Sequence, residues 1–468
     1  MDRNYKIDEW RIIEEGFNPA INRASESIFS IGNGHMGQRA NFAEHYSGDS
    51  LRGSYIAGIY YPDKTRVGWW KNGYPEYFAK VLNSPNWIGI DIKIDDEQLD
   101  LAKCEILSFR RELNMREGIL SRQFRVRMKS GMVAVVNADR FVSFNDHELG
   151  AIRYSVNLPE KGGRISFTPY IDGNVVNEDA NYGEVFWNET GHSTDDGSTL
   201  LVTTTRKTNF TVAFAMEYAL YRDKKEICPA PVLLSREKYA GHSFEVDASA
   251  GEEYTLYKYA AILSSENNPP DNIGKLAIDR AREASSAGYE RLLEDHREAW
   301  LKKWNESDVI IKGDPAAQQG IRFNIFHLYQ TYKGDDKRLN IGPKGFTGEK
   351  YGGTTYWDTE AFAFPFYLMT ADLHVARNLL LYRYRHLEKA IENASKLGFT
   401  DGAALYPMVT INGEECHNEW EITFEEIHRN AAIAYAIYNY VRYTEDEEYL
   451  AQYGFEVLVE ISRFWASR

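Results

Sequence analysis

The chain has 468 residues, of which 43% are apolar, so it is long enough to form two or three domains with buried cores. Lys and Arg number 54 and Asp and Glu 69, and the net charge of −15 argues against nucleic acid or an anionic membrane surface as a partner. The three widely spaced cysteines and the charged N-terminal segment argue against a disulfide framework and a secretory signal. No apolar run reaches the length of a transmembrane helix, so we expect a soluble cytoplasmic protein.

The first part of the chain, residues 1–267, alternates apolar and polar residues in the manner of half-buried strands. Residues 123–128 show this alternation and are followed by a Ser130-Gly131 turn and another apolar run. Similar runs recur at short intervals with Gly, Asn and Asp between them. The pattern predicts a large antiparallel β-sandwich.

A segment of this first part, residues 61–74, carries Trp69, Trp70 and Tyr74 and is predicted to be a loop. Such a loop is either anchored by its rings or extends over the other part of the chain to form one wall of a site. Both interpretations stay open at this point.

The tandem prolines Pro269 and Pro270 mark the sharpest boundary in the chain, because they end strands and block entry into a helix. After them the apolar residues recur at helical spacing. This spacing predicts a helical linker over residues 268–313, with one or two long helices and a brief strand at 309–311.

Residues 314–468 are predicted to form amphipathic helices alternating with longer loops, which is the layout of a helical toroid with its site at the loop end. Asp314 before Pro315 is a strong helix start, and Thr444 is expected to cap a later helix. About five helices precede Arg468, and their apolar stripe continues to the end of the chain. Because so large an exposed stripe is unusual, we expect the chain to be a fragment of something longer.

Two stretches of this helical part combine aromatic rings with carboxylates. In the first, Tyr356 and Trp357 stand beside Asp358 and Glu360. The second, residues 415–430, contains His417, Glu419, Trp420, Glu421, Glu425, Glu426 and His428. The flat face of a pyranose packs on an indole, while its hydroxyls need charged or strongly polar acceptors. The two stretches are therefore candidates for a sugar-binding site.

Other interpretations of these stretches remain open. Acidic residues beside Trp also occur at ordinary helix starts, where the helix dipole favours them. Glu425 and His428 have the i, i+3 spacing of a di-iron carboxylate helix, but the second copy that such a site needs is absent from the sequence. His417, Glu419 and Glu421 lack a zinc-type spacing. We therefore expect neither a metal nor an organic cofactor.

Several separated segments of the chain resemble glycoside hydrolase family 65, and within it the phosphorylases that act on maltose: residues 30–37, 46–51, 61–74, 339–360 and 416–430. The likeness extends along nearly the whole chain. This likeness implies four parts in chain order: a β-sandwich, a helical linker, an (α/α)6 barrel and a small C-terminal β domain. On this basis residues 1–267 are expected to be the sandwich, 268–313 the linker and 314–468 about half of the barrel.

The resemblance implies inverting phosphorolysis, in which maltose and inorganic phosphate give β-glucose 1-phosphate and glucose. An inverting hydrolase needs a second carboxylate to activate water, but phosphate is already an anionic nucleophile and can dispense with that base. Phosphorylases of kojibiose, nigerose or trehalose, and a trehalase, are the alternatives within the fold. A non-catalytic sugar-binding protein is the alternative of another class. The expected partners are a disaccharide and phosphate, and the family commonly forms homodimers.

The resemblance also implies roles for particular side chains. Trp357 and Asp358 correspond to the pair that grips the glucosyl unit in subsite −1, and Trp420 and Glu421 line the same pocket. The acceptor subsite is shaped by the segment that holds His417 and Glu419.

The general acid of the family is a Glu in a Gly- and Asn-rich stretch that is expected after Arg468. We therefore expect no catalytic residue within the 468 residues, and the chain by itself is expected to be inactive. Glu349 follows Thr347 and Gly348 in a superficially similar motif, but it lies upstream and lacks the Asn run, so it is not taken as the acid.

Overall fold

The computed structural model of the chain describes residues 5–66, 76–195, 197–350, 352–416 and 425–468. The chain forms two compact units. The first, called the sandwich unit, consists of Met1–Tyr55, Asn83–Val176 and Val185–His327. The second, called the helical unit, consists of Ile56–Leu82, Asn177–Glu184 and Leu328–Arg468.

The described residues form strands that are numbered here in chain order. They are β1 (Arg11–Glu15), β2 (Ile31–Gly32), β3 (Met36–Gln38), β4 (Ser54–Ile56), β5 (Tyr60–Lys64), β6 (Tyr77–Val81), β7 (Ile90–Ile94), β8 (Glu97–Gln98), β9 (Glu105–Asn114), β10 (Ile119–Arg127), β11 (Val133–Val142), β12 (Leu149–Asn157), β13 (Gly163–Asp172), β14 (Trp187–Thr194), β15 (Thr199–Thr205), β16 (Thr211–Arg222), β17 (Lys225–Ile227), β18 (Val232–Arg236), β19 (Tyr239–Ala248) and β20 (Glu253–Ser264).

Two antiparallel sheets dominate the sandwich unit. The larger has the order β1-β9-β10-β11-β12-β20-β16-β15-β14, with β17 beside β16, and the smaller has the order β18-β19-β13-β7-β8. The segments whose alternation predicted strands, such as 123–128, lie in these sheets. The predicted fold class, a large antiparallel β-sandwich followed by helices, is confirmed.

The two sheets pack face to face around a buried core. Tyr218 of β16 stacks on Phe244 of β19 with ring centroids 5.2 Å apart. The Lys258 ammonium of β20 donates to the carbonyls of Gly89 and Tyr170 at 2.9 and 2.7 Å. Burial holds the pKa of Lys258 well below its usual range. The two carbonyls accept hydrogen bonds from its amine, so this buried polar group between the sheets has partners.

Helices cover the other face of the larger sheet. Besides α1 (Asn22–Ile28), the sandwich unit contains α2 (Ile273–Ala287) and α3 (Tyr289–Ser307). The predicted linker thus consists of two helices. Gly288 separates them with a φ of +82°, a conformation that glycine adopts without steric cost.

One local prediction in this region is wrong, because residues 309–311 form no strand. The Gln318 side chain instead donates to Val309 O at 2.8 Å and accepts from Ile311 N at 2.6 Å. A single side-chain amide thereby supplies the hydrogen bonds that a neighbouring strand would have made.

One of the remaining helices lies mostly in the sandwich unit, and the others lie in the helical unit. They are α4 (Pro315–Thr331), which begins in the sandwich unit, α5 (Phe364–Thr370), α6 (Leu373–Arg385), α7 (Leu387–Lys396), α8 (His428–Thr444), α9 (Glu447–Tyr449) and α10 (Phe455–Ser467), with π-helical turns at Thr359–Ala363 and Leu450–Gly454.

The helix-start predictions had mixed outcomes. Asp314 Oδ1 accepts from the amides of Ala316 and Ala317 at 3.0 Å, so the predicted start of α4 is confirmed. Thr444 is not the cap of a later helix, because its hydroxyl donates back to Tyr440 O within α8. Asp446 is the cap instead, and its carboxylate accepts from Tyr449 N at 2.8 Å.

Candidate functional site

The two aromatic and carboxylate stretches meet inside the helical unit. Trp357 lies just before the π-helical turn Thr359–Ala363, and His428 is the first residue of α8. Their ring centroids are 4.7 Å apart and the ring planes are at 89°, an edge-to-face contact. Trp357 is only half-buried and His428 is exposed, so part of the indole remains accessible to a ligand.

Asp358, next to this indole, has a half-buried side chain. Its carboxylate does not cap the helical turn that follows. Within the described ranges it forms no hydrogen bond or ion pair, so its oxygens are available to hydroxyl donors. A partly buried carboxylate beside a partly accessible indole has the chemistry that a sugar ring requires.

Glu360, the other carboxylate of the first stretch, has a structural role instead. It forms a two-pronged pair with Arg383 of α6, in which Arg383 Nε and one terminal nitrogen donate to its oxygens at 2.7 and 2.9 Å. Arg383 also donates to the carbonyl of Tyr356 at 3.1 Å. Burial by itself lowers the pKa of Arg383, but the charge and the hydrogen bonds of Glu360, with smaller effects of Tyr382 and Tyr406, together outweigh burial and raise that pKa. The pair therefore fixes the segment that carries Trp357.

A buried chain of hydrogen bonds continues from Arg383 to the start of α8. The Tyr406 hydroxyl donates to Arg383 O at 3.0 Å, and Tyr406 O accepts from Arg429 Nε at 2.5 Å. Asn430 accepts from Tyr406 N at 3.0 Å and donates to Ala404 O at 2.8 Å. Through these contacts the segment of Trp357 and the segment of His428 are held in one framework.

Glu415, which opens the second stretch, belongs to the same framework. Its carboxylate accepts from the amides of Met408 and Val409 at 2.7 and 3.3 Å and lies 3.7 Å from an Arg429 nitrogen. Sequence reasoning included Glu415 and Asn430 in the stretch but assigned them no function. Nothing in the sequence indicated a role for Arg383 or Tyr406, because ordinary helix and loop residues surround them in the chain.

Glu349, which was not taken as the general acid, is a buried carboxyl with an unusual environment. One oxygen accepts from Asp179 N at 3.0 Å, and the other has no hydrogen-bond partner in the part of the chain that the structure describes. Burial, with the nearby carboxylates of Asp179 and Glu178, raises the pKa of Glu349 to about 7. Its contacts tie it to the segment Asn177–Glu184.

The segment Asn177–Glu184 is also tied to the hairpin of β5 and β6. Lys80 of β6 donates to the carbonyl of Asp179 and lies 3.6 Å from its carboxylate. The same ammonium lies 2.9 Å from a carboxylate oxygen of Asp63 on β5, and Asp63 accepts from Asn181 N at 2.7 Å. This buried lysine thus links both segments that enter the helical unit from elsewhere in the chain.

The hairpin also contacts the loop before the second stretch. The Tyr77 hydroxyl of β6 donates to the Glu414 carboxylate and accepts from the Asn412 side chain at 3.1 Å. Burial, together with the bond to Glu414, holds the pKa of Tyr77 well above its usual range. The strands that flank the predicted loop at 61–74 therefore pack with the helical unit, while residues 67–75 lie outside the described residues.

Four of the six predicted site residues lie outside the described residues as well: His417, Glu419, Trp420 and Glu421. Their roles remain predictions, as does the position of the general acid after Arg468. The structure describes Trp357 and Asp358, and it brings Trp357 against His428 from the second stretch.

Family models match most of the chain. Residues 12–303 match the model described as "Glycosyl hydrolase family 65, N-terminal domain". Residues 322–468 match the "Glycosyl hydrolase family 65 central catalytic domain". None of the described helices is long and apolar enough to cross a membrane.

Among curated proteins, the chain is 48% identical over 466 residues to a maltose phosphorylase of Bacillus subtilis, covering 100% of this chain and 61% of that protein. It is 34% identical to an α,α-trehalose phosphorylase of Thermoanaerobacter brockii, covering 98% of this chain and 60% of the relative. A solved structure described as a putative kojibiose phosphorylase from the human microbiome superposes with a TM-score of 0.89 at 30% identity, covering 99% of this chain and 60% of that one. The chain thus spans about three-fifths of the length of these relatives.

Proposed function

Because the chain belongs to glycoside hydrolase family 65, we propose that the protein is an inverting phosphorylase that converts maltose and inorganic phosphate into β-glucose 1-phosphate and glucose. The 48% identity to a maltose phosphorylase supports this substrate over the sugars of the relatives that are less similar. The observation that carries the proposal is the contact of Trp357 with His428, which joins the two stretches that the sequence analysis selected for a sugar.

In the proposed reaction the glucosyl ring of maltose lies against the accessible part of the Trp357 indole. The Asp358 carboxylate accepts hydrogen bonds from hydroxyls of the same ring, which compensates the cost of its partial burial. Trp420 and Glu421 complete this subsite, while His417 and Glu419 contribute to the acceptor subsite.

The chemical step exchanges one bond at the anomeric carbon for another. A phosphate oxygen attacks this carbon from the face opposite the glycosidic bond, which breaks as a carboxylic acid protonates its oxygen. The configuration inverts, so the α-linked substrate yields the β-phosphate. Phosphate takes the place of the activated water, and the second catalytic carboxylate of an inverting hydrolase is not required.

The experiment follows maltose consumption by the complete gene product with NMR, with and without inorganic phosphate. We expect β-glucose 1-phosphate and glucose in equal amounts, and no sugar consumption when phosphate is omitted. Kojibiose, nigerose and trehalose are assayed in parallel, and faster turnover of any of them overturns maltose as the substrate. Hydrolysis without phosphate contradicts a phosphorylase, and binding without any turnover indicates a sugar-binding protein.

No resident cofactor is part of the proposal. Dialysis against a chelator is therefore expected to leave turnover unchanged, and loss of turnover with recovery on adding a divalent cation contradicts this. The unpaired Cys104, Cys228 and Cys416 support a reducing, cytoplasmic location, which fractionation of the source cells tests. A homodimer is proposed from the family resemblance, and light scattering on the purified protein measures it.

A further inference from the structure

Three arginines lie side by side on one face of the larger sheet of the sandwich unit. Arg111 of β9 is directly opposite Arg122 of β10 in the strand register. Ala138 of β11 is the next partner of Arg122, and Arg140 lies two residues further on the same strand. Residues two apart on a strand face the same side, so the three guanidinium groups share one surface. Like charges directly opposite each other destabilise a sheet, so this arrangement needs compensating negative charge.

Two carboxylates compensate two of these charges. Glu44 accepts from both terminal nitrogens of Arg122 at 2.5 and 2.6 Å. Glu14 Oε2 lies 3.2 Å from Arg111 Nε, although not in hydrogen-bonding geometry. Each of these carboxylates therefore has a guanidinium of its own.

Arg140 has no carboxylate partner among the described residues. Its terminal nitrogens donate to two backbone carbonyls, Asn41 O at 3.2 Å and Arg39 O at 3.1 Å. Glu26 is a further carboxylate near the three arginines. A terminal nitrogen of Arg39 lies 3.6 Å from a carboxylate oxygen of Glu26, so Arg39 neutralises the charge of Glu26. Within this cluster of described residues, three guanidinium groups against two carboxylates leave one positive charge unmatched.

Several donor atoms of these arginines also lack partners. Arg111 Nε and one of its terminal nitrogens, and Arg140 Nε, form no hydrogen bond with the described residues. The two residues are 1% and 5% exposed, so water outside the protein cannot serve them. Burial, followed by the charge of Arg122, lowers the pKa of Arg140 to about 9. Buried donors are rarely left unpaired in native proteins, which indicates an acceptor that belongs at this place.

There is space for such an acceptor. The three arginines line a small, partly open cavity of about 20 Å³, which is room for one water-sized ion, together with the small side chains of Ala40, Ala43 and Ala138. Larger apolar side chains at the three alanines would fill this volume and cover the guanidinium groups. The cavity therefore combines room, unpaired donors and one excess positive charge.

We propose that this cavity binds a small monovalent inorganic anion, for which chloride is the probe. The anion accepts hydrogen bonds from the unpaired nitrogens of Arg111 and Arg140 and neutralises the unmatched charge. A phosphate dianion does not match the single unmatched positive charge, because it would leave a surplus negative charge buried in the cavity. The ion stabilises the sandwich unit by binding the folded state in preference to the unfolded one.

The test compares thermal unfolding in chloride and in gluconate at equal ionic strength. We expect the unfolding temperature to rise by about 2 °C for each tenfold increase in chloride above its dissociation constant, and to stay constant in gluconate. Crystals grown in bromide are expected to show an anomalous peak between the three guanidinium groups. Water at that position, or equal unfolding temperatures in the two salts, overturns the proposal. Stabilisation by phosphate but not by chloride overturns it as well.

Two variants separate site binding from a general salt effect. Arg140→Met removes the unmatched charge, so its unfolding temperature is expected to lose the dependence on chloride. Arg127→Met is the control on β10, because Arg127 is exposed and pairs with Glu105 at the surface, and it is expected to keep the full dependence. Equal chloride dependence in both variants contradicts the site. Should Arg140→Met fail to fold, the bromide peak in the unaltered protein decides the question.

Discussion

The Trp357 indole and the His428 imidazole meet edge to face at 4.7 Å, although three helices (α5, α6 and α7) and a long loop separate them in the chain. This contact depends on a buried framework, in which Glu360, Arg383, Tyr406 and Arg429 connect the two segments. The proposed sugar site therefore depends as much on side chains that never touch a ligand as on those that do.

Replacing Trp357 with Leu is expected to weaken maltose binding about tenfold, because the flat aromatic surface for the sugar ring is lost. Calorimetric titration with maltose measures the effect. Trp465→Leu is the matched control, since this indole of α10 is 42% exposed, and it is expected to leave the affinity unchanged. Equal affinities of the two variants would place the sugar elsewhere.

Replacing Glu360 with Gln leaves the Arg383 charge buried without its partner. The free energy of unfolding is expected to fall by about 3–5 kcal/mol, as for other broken buried pairs, and urea denaturation measures it. Glu460→Gln is the control, because its partner Arg463 is half exposed and the loss is expected to stay below about 1 kcal/mol. A small change in both variants shows that the framework does not depend on this pair.

Glu349 is expected to make the stability of the protein dependent on pH. The pKa of its carboxyl is about 7 in the folded protein and close to 4.5 in the unfolded chain, so the folded state binds more protons between these values. The free energy of unfolding is therefore expected to fall as the pH rises from about 4.5 to about 7, because the folded state pays increasingly for keeping this carboxyl protonated. Thermal unfolding across this range measures the dependence.

The variant Glu349→Gln keeps an oxygen acceptor for Asp179 N but cannot ionise. Relative to the unaltered protein, it is expected to gain stability steadily from pH 4.5 to pH 7. Glu388→Gln, at an exposed position of α7, is the control and is expected to follow the unaltered protein at every pH. A constant difference between Glu349→Gln and the unaltered protein contradicts the raised pKa.

Replacing Tyr77 with Phe removes the hydroxyl that joins the hairpin to Glu414 and Asn412. Losing these two hydrogen bonds is expected to cost about 1–3 kcal/mol, mostly in local opening of the hairpin. Hydrogen exchange of the amides in Tyr77–Val81 is therefore expected to accelerate. Tyr435→Phe, whose ring is 64% exposed, is the control, and equal exchange in both variants argues against anchoring by Tyr77.

Local sequence patterns predicted much of the fold. The alternation at 123–128 predicted a strand because side chains of a half-buried strand point alternately to core and solvent. Asp314 before Pro315 predicted the start of α4, because a cap and a proline both act within one helical turn. The predictions at 309–311 and Thr444 were wrong because Gln318 and Asp446, short distances away, supply the hydrogen bonds instead.

What the sequence alone determined about this protein is therefore local: its strands and helices, and the concentration of rings and carboxylates around Trp357. Asp358 and Glu360 look equivalent in the sequence, and only the position of Arg383 makes Glu360 a structural anchor while Asp358 stays available. The entry of Ile56–Leu82 into the helical unit and the cluster of Arg111, Arg122 and Arg140 were likewise decided by the tertiary structure. The physical reason is that hydrogen bonds and charge pairs depend on distances in space, which sequence separation does not specify.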